Sequence, residues 1–153
     1  SAIKTFTQKV AWNNLDFIIV DMPPEESSEF SLSAKKANID IIRLIAPTTS
    51  SSRAKKICSQ CSGYIYYISV KGITGAANMD AVDVKNKVGE LRKHTDLPIA
   101  IGFGIKDAAS ASSVMEVADG IVVGSVFVDL IGEGGNIIEK VSAKTKELSE
   151  VLQ

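Results

Sequence analysis

Histidine is nearly absent from this 153-residue chain, which has only His94, and cysteine is scarce, with Cys58 and Cys61 alone. A structural zinc site takes about four nitrogen or sulfur ligands, so this supply excludes one and no metal is expected. The two cysteines form a C-x-x-C, but at the end of an apparent helix, before Ser62-Gly63, rather than at the mouth of a helix following a strand, where redox motifs sit. They are read as one core thiol and one near the surface. An excess of either charge is also missing: 17 Lys and Arg face 18 Asp and Glu, scattered along the chain, for a net charge of −1. No basic face is available for nucleic-acid phosphates or an anionic membrane. Long apolar runs are lacking too. The N-terminus carries Lys4, Lys9 and Asp16 without an apolar leader core, and the stretch from Ile121 to Ile131 is broken by Gly124, Ser125 and Asp129. The expectation is a soluble cytoplasmic protein, and with 45% hydrophobic residues it can build one domain with a core.

What the chain has is a repeated unit. Five short apolar strands are predicted, at Phe17 to Val20, Ile41 to Ile45, Tyr64 to Ser69, Pro98 to Ile101 and Ile121 to Val123. Amphipathic segments of helical length separate them. Pro23-Pro24-Glu25-Glu26 suits a helix N-terminus, and that helix should run through Phe30, Leu32 and Ala34 to Asn38. Thr48 to Ser52 should cap a helix through Ala54 and Ile57. Further helices are expected from about Val82 to Lys93, from Asp107 to Val117, as one turn from Ser125 to Leu130, and from Asn136 to Leu152. Residues 3–14, with Phe6, Val10 and Trp12, read as a helix ahead of the first strand.

Such βα units give a parallel sheet, and parallel strands imply two covered faces. A closed (β/α)8 barrel needs about 250 residues and eight strands. Either this is an open flavodoxin-like sheet, or it is part of a barrel. An open doubly wound sheet usually places its phosphate loop after the first strand, but here that strand runs into Asp21-Met22-Pro23-Pro24, which has no glycine. The glycines gather later, at Gly72 and Gly75, at Gly102-Phe103-Gly104 and at Gly124-Ser125. Strand-end glycines beside a short extra helix are how the last strands of a barrel grip a phosphate. The fold expected is therefore α/β, a partial TIM (β/α)8 barrel with about five parallel strands, residues 1–153 forming the C-terminal part of a single barrel domain.

Four segments together resemble the tryptophan synthase alpha family. Asp21-Met22-Pro23-Pro24-Glu25-Glu26-Ser27 is similar to its strand-four loop. Tyr64-Ile65-Tyr66-Tyr67-Ile68-Ser69 with Gly72-Ile73-Thr74-Gly75-Ala76 resembles strand six and the flexible active-site loop. Leu97-Pro98 to Gly102-Phe103-Gly104-Ile105 resembles strand seven, and Asp119-Gly120-Ile121-Val122-Val123-Gly124-Ser125 strand eight. The resemblance implies retro-aldol cleavage of indole-3-glycerol phosphate to indole and glyceraldehyde 3-phosphate, in an alpha-beta-beta-alpha complex whose beta subunit holds pyridoxal phosphate; no cofactor is expected in this chain. It implies phosphate contacts at Gly75, Phe103, Gly104, Gly124 and Ser125, and a pocket with Tyr66 near the reacting carbon and Thr74 on the closing loop. Ile18 and Leu44 are candidates to line it, although alternation along the strands does not say which side chains face inward. The rim with Pro23 and Gly72 is implied to face the beta subunit.

The family's catalytic carboxylates lie in an E-x-G-x-P-F-S-D-P-x-A-D-G stretch, and this sequence has none. No catalytic residue is therefore expected here beyond a supporting role for Tyr66, and the chain alone should be inactive. Lys71 and His94 are read as solvent-facing and surface residues. Two other readings stand beside this one: another phosphate-binding barrel enzyme, disfavoured as a metal-dependent epimerase because strand-end histidines are absent, or a non-catalytic half-barrel module. An unpaired sheet edge also predicts self-association.

Overall fold

A computed structural model describes residues 10, 11, 14, 31, 34–69, 77–102 and 104–152. Four strands, β1 (Arg43–Ile45), β2 (Ile65–Ile68), β3 (Ile99–Gly102) and β4 (Gly120–Val122), form one sheet in the order β1-β2-β3-β4. Every pairing is parallel. The helices between them are α1 (Ser51–Cys58), α2 (Ala77–Leu91) and α3 (Ala108–Met115); α4 (Ser125–Gly132), α5 (Ile137–Ser149) and a 3-10 turn (Glu150–Leu152) follow β4. An open doubly wound sheet reverses its strand order at a switch point. Strictly sequential order among these strands is that of a barrel wall. The expected first strand and the helix over 3–14 lie outside the described residues.

Local chemistry sets the helix ends. Ser50 caps α1 by accepting from Arg53 N, and Asp107 and Ser110 form a reciprocal capping box at α3. Asn136 caps α5 by accepting from Glu139 N. The helix after the first expected strand ends at Asn38, whose φ of +55° lets Ile39 N donate back to Ala34 O at 2.9 Å. α2 starts at Ala77, five residues before the predicted Val82, taking in Asn78 and Asp80, residue types suited to a first helical turn. α4 runs to Gly132, longer than the one turn expected.

Register places Ile45, Tyr67, Ile101 and Ile121 on one face of the sheet, together with Ile65 and Ile99. There they pack with Ala54 and Cys58 of α1, Val84, Val88 and Leu91 of α2, Ala111 and Val114 of α3 and Leu148 of α5. The i, i+4, i+7 spacing of the α2 trio is the stripe a helix lays on a sheet. Ile45, Ile65 and Ile99 are wholly buried, each contributing roughly 1.5–3 kcal/mol. The opposite face carries Leu44, Tyr66, Ile68, Ala100, Gly102, Gly120 and Val122. Two covered faces were expected, but among the described residues the helices cover only one, and Leu44 is 55% exposed. In a closed barrel this second face is the interior, which the remaining strands fill.

Candidate functional site

Parallel register brings the C-terminal ends of the strands to one rim. Ile68, Gly102 and Val122 are aligned across β2, β3 and β4, and Ser69 N donates to Gly102 O at 3.0 Å. The glycines of interest leave this rim side by side: Gly104 two residues beyond the end of β3, Gly124 two beyond the end of β4. Gly104 is exposed with φ +79°, a conformation that disfavours any side chain. Gly124 is different, since its φ is −126° and among the described residues a Cβ there would meet no atom within 4 Å. Packing among the described residues does not require a glycine at 124. A ligand approaching the backbone closely would.

Gly124 is also the N-cap of α4 and supplies no side-chain hydrogen bond, unlike the caps of α1, α3 and α5. Phe127 N and Val128 N turn back to Gly124 O, so the N–H groups of the residues before them have no acceptor in the helix. With the exposed Ser125 as the first helical residue, this end offers backbone N–H donors, a hydroxyl and the positive end of a helix dipole, which suit an anion such as phosphate. At α3 the corresponding donors are already taken, by Asp107 and by Glu147, whose Oε1 accepts from Ala108 N at 3.0 Å.

Tyr66 is the one titratable side chain on the inner face of the four strands, and it sits level with Leu44 and Ala100. Its phenol is half-buried and raised above its ordinary pKa, first by burial and then by Tyr64. At neutral pH it is a hydrogen-bond donor and not a base. Its ring leans along the sheet over Gly102: a Cβ at Gly102 would lie 2.7 Å from Tyr66 Cζ and closer still to Cε2 and Oη. Gly102 thereby makes room for the ring that reaches toward the rim. The sequence groups Gly102 with the strand-end glycines suited to a phosphate and does not connect it with Tyr66. The available signal was the small residues alternating at Ala100 and Gly102 next to a bulky Tyr66.

The structure thus brings Leu44 and Tyr66 to one face, and Gly104, Gly124 and Ser125 to one rim. Ile18, Pro23, Gly72, Thr74, Gly75 and Phe103 lie outside the described residues, as does Lys71. His94 is half-buried three residues after the end of α2, with Nε2 3.4 Å from Ser51 Oγ. No carboxylate stands at the ends of the four strands, which continue as Ala46-Pro47, Ser69, Phe103-Gly104 and Val123-Gly124. Among the described residues no cluster of three metal-ligating side chains occurs, and no helix is long and apolar enough to cross a membrane.

Known proteins match most or all of this chain. Residues 1–153 fit the family model described as tryptophan synthase alpha chain. The chain is 48% identical over 116 residues to the tryptophan synthase alpha chain of Thioalkalivibrio sulfidiphilus, covering 76% of this chain and 44% of that one. It is 40% identical over 154 residues to that of Nitrosococcus oceani, covering 97% and 57%. A solved structure, tryptophan synthase subunit alpha from Campylobacter jejuni, is similar with a TM-score of 0.72 at 33% identity, covering 85% of this chain and 52% of that one. The chain spans about half the length of the relatives it matches. With these strands, this rim and these relatives, the chain belongs to the tryptophan synthase alpha chain family.

Proposed function

We propose that residues 1–153 are the C-terminal part of a single (β/α)8 barrel domain, and that the whole enzyme is a lyase cleaving indole-3-glycerol phosphate to indole and glyceraldehyde 3-phosphate. The observation that carries this reading is the uncapped, glycine-headed start of α4 beside the Gly104 turn, on adjacent strand ends of a chain in this family. Backbone N–H groups at Gly104, Gly124 and Ser125, joined by Gly75 and Phe103, hold the phosphate, and the Ser125 hydroxyl adds a donor. The indole ring lies over the inner face beside Leu44, and Ile18 is a further candidate for the pocket. Tyr66 lines the pocket as a neutral phenol, and Thr74 closes over it.

Retro-aldol cleavage needs an acid to protonate the indole carbon, a base for the glycerol hydroxyl and an anchor holding both in reach. This chain supplies the anchor. With no carboxylate at the described strand ends, the acid–base pair belongs to the second strand of an intact barrel and the loop after it, and the chain alone is inactive. The rim that includes Pro23 and Gly72 faces a beta subunit, which holds pyridoxal phosphate and receives the indole, in a soluble cytoplasmic complex. The uncovered inner face favours self-association when the rest of the barrel is absent.

Calorimetric titration with glycerol 3-phosphate tests the anchor. Binding should weaken about tenfold in Ser125→Ala, which removes one hydrogen bond to a charged group, and further in Gly124→Val. Affinity unchanged in both variants would refute the assignment.

A further inference from the structure

At the end of the sheet opposite the glycine rim, the segments leading into β1 and β2 border a cavity of about 490 Å³ whose walls include Lys35, Asp40, Arg43, Cys61 and Ser62. Arg43 Nη2 donates to Ser31 Oγ at 2.8 Å, but Arg43 Nε is buried without a hydrogen-bond partner, a costly state for a guanidinium. Among the described residues of these walls two cations, Arg43 and Lys35, stand against the one carboxylate of Asp40. Cys61 is half-buried there, its Sγ 3.0 Å from both Ile41 O and Tyr64 O.

Cys58 stands three residues earlier, at the C-terminal end of α1. Cys61 N donates to Cys58 O at 3.2 Å, the bond of a tight turn, and Cys61 packs against the core cluster that contains Cys58. Such a turn holds its end Cα atoms within about 7 Å, close to the span of roughly 4.4–6.8 Å that a disulfide bridges. We infer that Cys61 and Cys58 are a thiol–disulfide exchange site for a small anionic disulfide of the glutathione class, drawn into the cavity by Arg43 and Lys35.

In the first step Cys61, its proton lost to solvent, attacks one sulfur of the reagent. The reagent's S–S bond breaks and one thiolate leaves, to be protonated by water. Cys58, likewise deprotonated, then attacks Cys61 Sγ and expels the second thiolate. Two protein thiols are oxidised to one disulfide while the reagent is reduced to two thiols, so the step balances with no other reactant. Burial pushes both thiols above their ordinary pKa; at Cys61 the Arg43 backbone N–H and guanidinium oppose that push.

Mass spectrometry of the reduced chain after incubation with oxidised glutathione and alkylation tests this. The unsubstituted chain should lose both alkylatable thiols and keep no glutathione, Cys58→Ser should stop with one glutathione on Cys61, and Cys61→Ser should carry none. Arg43→Gln should react about fivefold more slowly with oxidised glutathione but at an unchanged rate with neutral 2-hydroxyethyl disulfide, a difference that vanishes in urea. If the rates of Arg43→Gln already equal those in urea, that variant is unfolded and Lys35→Gln carries the same comparison. Two thiols still alkylated in the unsubstituted chain, a reaction that halts there at the glutathione adduct, an adduct on Cys58 in Cys61→Ser, or equal slowing with both reagents would overturn the inference.

Discussion

Replacing Gly102 by alanine tests the packing that aims Tyr66 at the rim. The added Cβ would stand 2.7 Å from Tyr66 Cζ, with Cε2 and Oη nearer still. Ordinary carbon contact is about 3.5–4.0 Å, so the ring must move by roughly 1 Å or strand β3 must yield. Overpacking of this kind costs about 1–3 kcal/mol. Because the atoms met are the far end of the ring, the lower half of that range is expected, with the phenol oxygen swung away from its place beside the rim. Urea unfolding of Gly102→Ala, followed by far-UV circular dichroism, should show a loss of about 1–2 kcal/mol. In a Tyr66→Ala background the same substitution should cost almost nothing, whereas Tyr66→Phe, which keeps Cε2 and Cζ, should give no relief. A loss below about 0.5 kcal/mol, or an equal loss with and without the ring, would refute the reasoning.

Asp107→Ala should destabilise the chain by about 1 kcal/mol through loss of the α3 cap. Hydrogen bonds from Ser110, side chain first, hold the Asp107 carboxyl below the usual carboxylate pKa. Its contribution is therefore full above the unfolded value of about 3.9 and is lost as pH falls through the lower folded value, so the gap between variant and parent in unfolding titrations should close below about pH 4. At the foot of β4, Asp119 Oδ2 accepts from Ile99 N at 2.7 Å and from Arg92 Nη2 at 2.9 Å. Asp119→Ala should cost about 1–3 kcal/mol by leaving a strand N–H unpaired, and Arg92→Ala under about 1 kcal/mol because that pair is solvent-exposed; denaturant unfolding that reversed this order would contradict the assignment.

Much of the fold is legible in the sequence because its signals are local. Ser50, Asp107 and Asn136 cap helices where the residue types suggested, since a cap needs only a side-chain oxygen and the next three N–H groups. The four described strands differ from expectation by only one or two residues at their ends. Cys58 is a core thiol as expected, while Cys61, expected near the surface, is half-buried against the core. What the sequence left open depends on register. Alternation could not say whether Leu44 faces inward; its alignment with Tyr66 and Ala100, opposite in sense to Ile45 and Tyr67, settles it. The reason for Gly102 was hidden for the same cause, because its neighbour Tyr66 is 36 residues earlier in the chain and one strand away. Among the described residues the inner face is bare, as expected of a sheet lacking part of its barrel, because coverage of a barrel interior comes from opposing strands and not from helices.

The account's central claim is that this chain carries the phosphate anchor of an alpha-chain barrel and not its acid–base pair. Indole formation from indole-3-glycerol phosphate tests it most directly, measured on the chain alone and after refolding it with the N-terminal half of the Nitrosococcus oceani relative. The account predicts no indole from the chain alone and measurable indole from the mixture, abolished when the carboxylates of the added half are changed to amides. Indole released by the chain alone would contradict it.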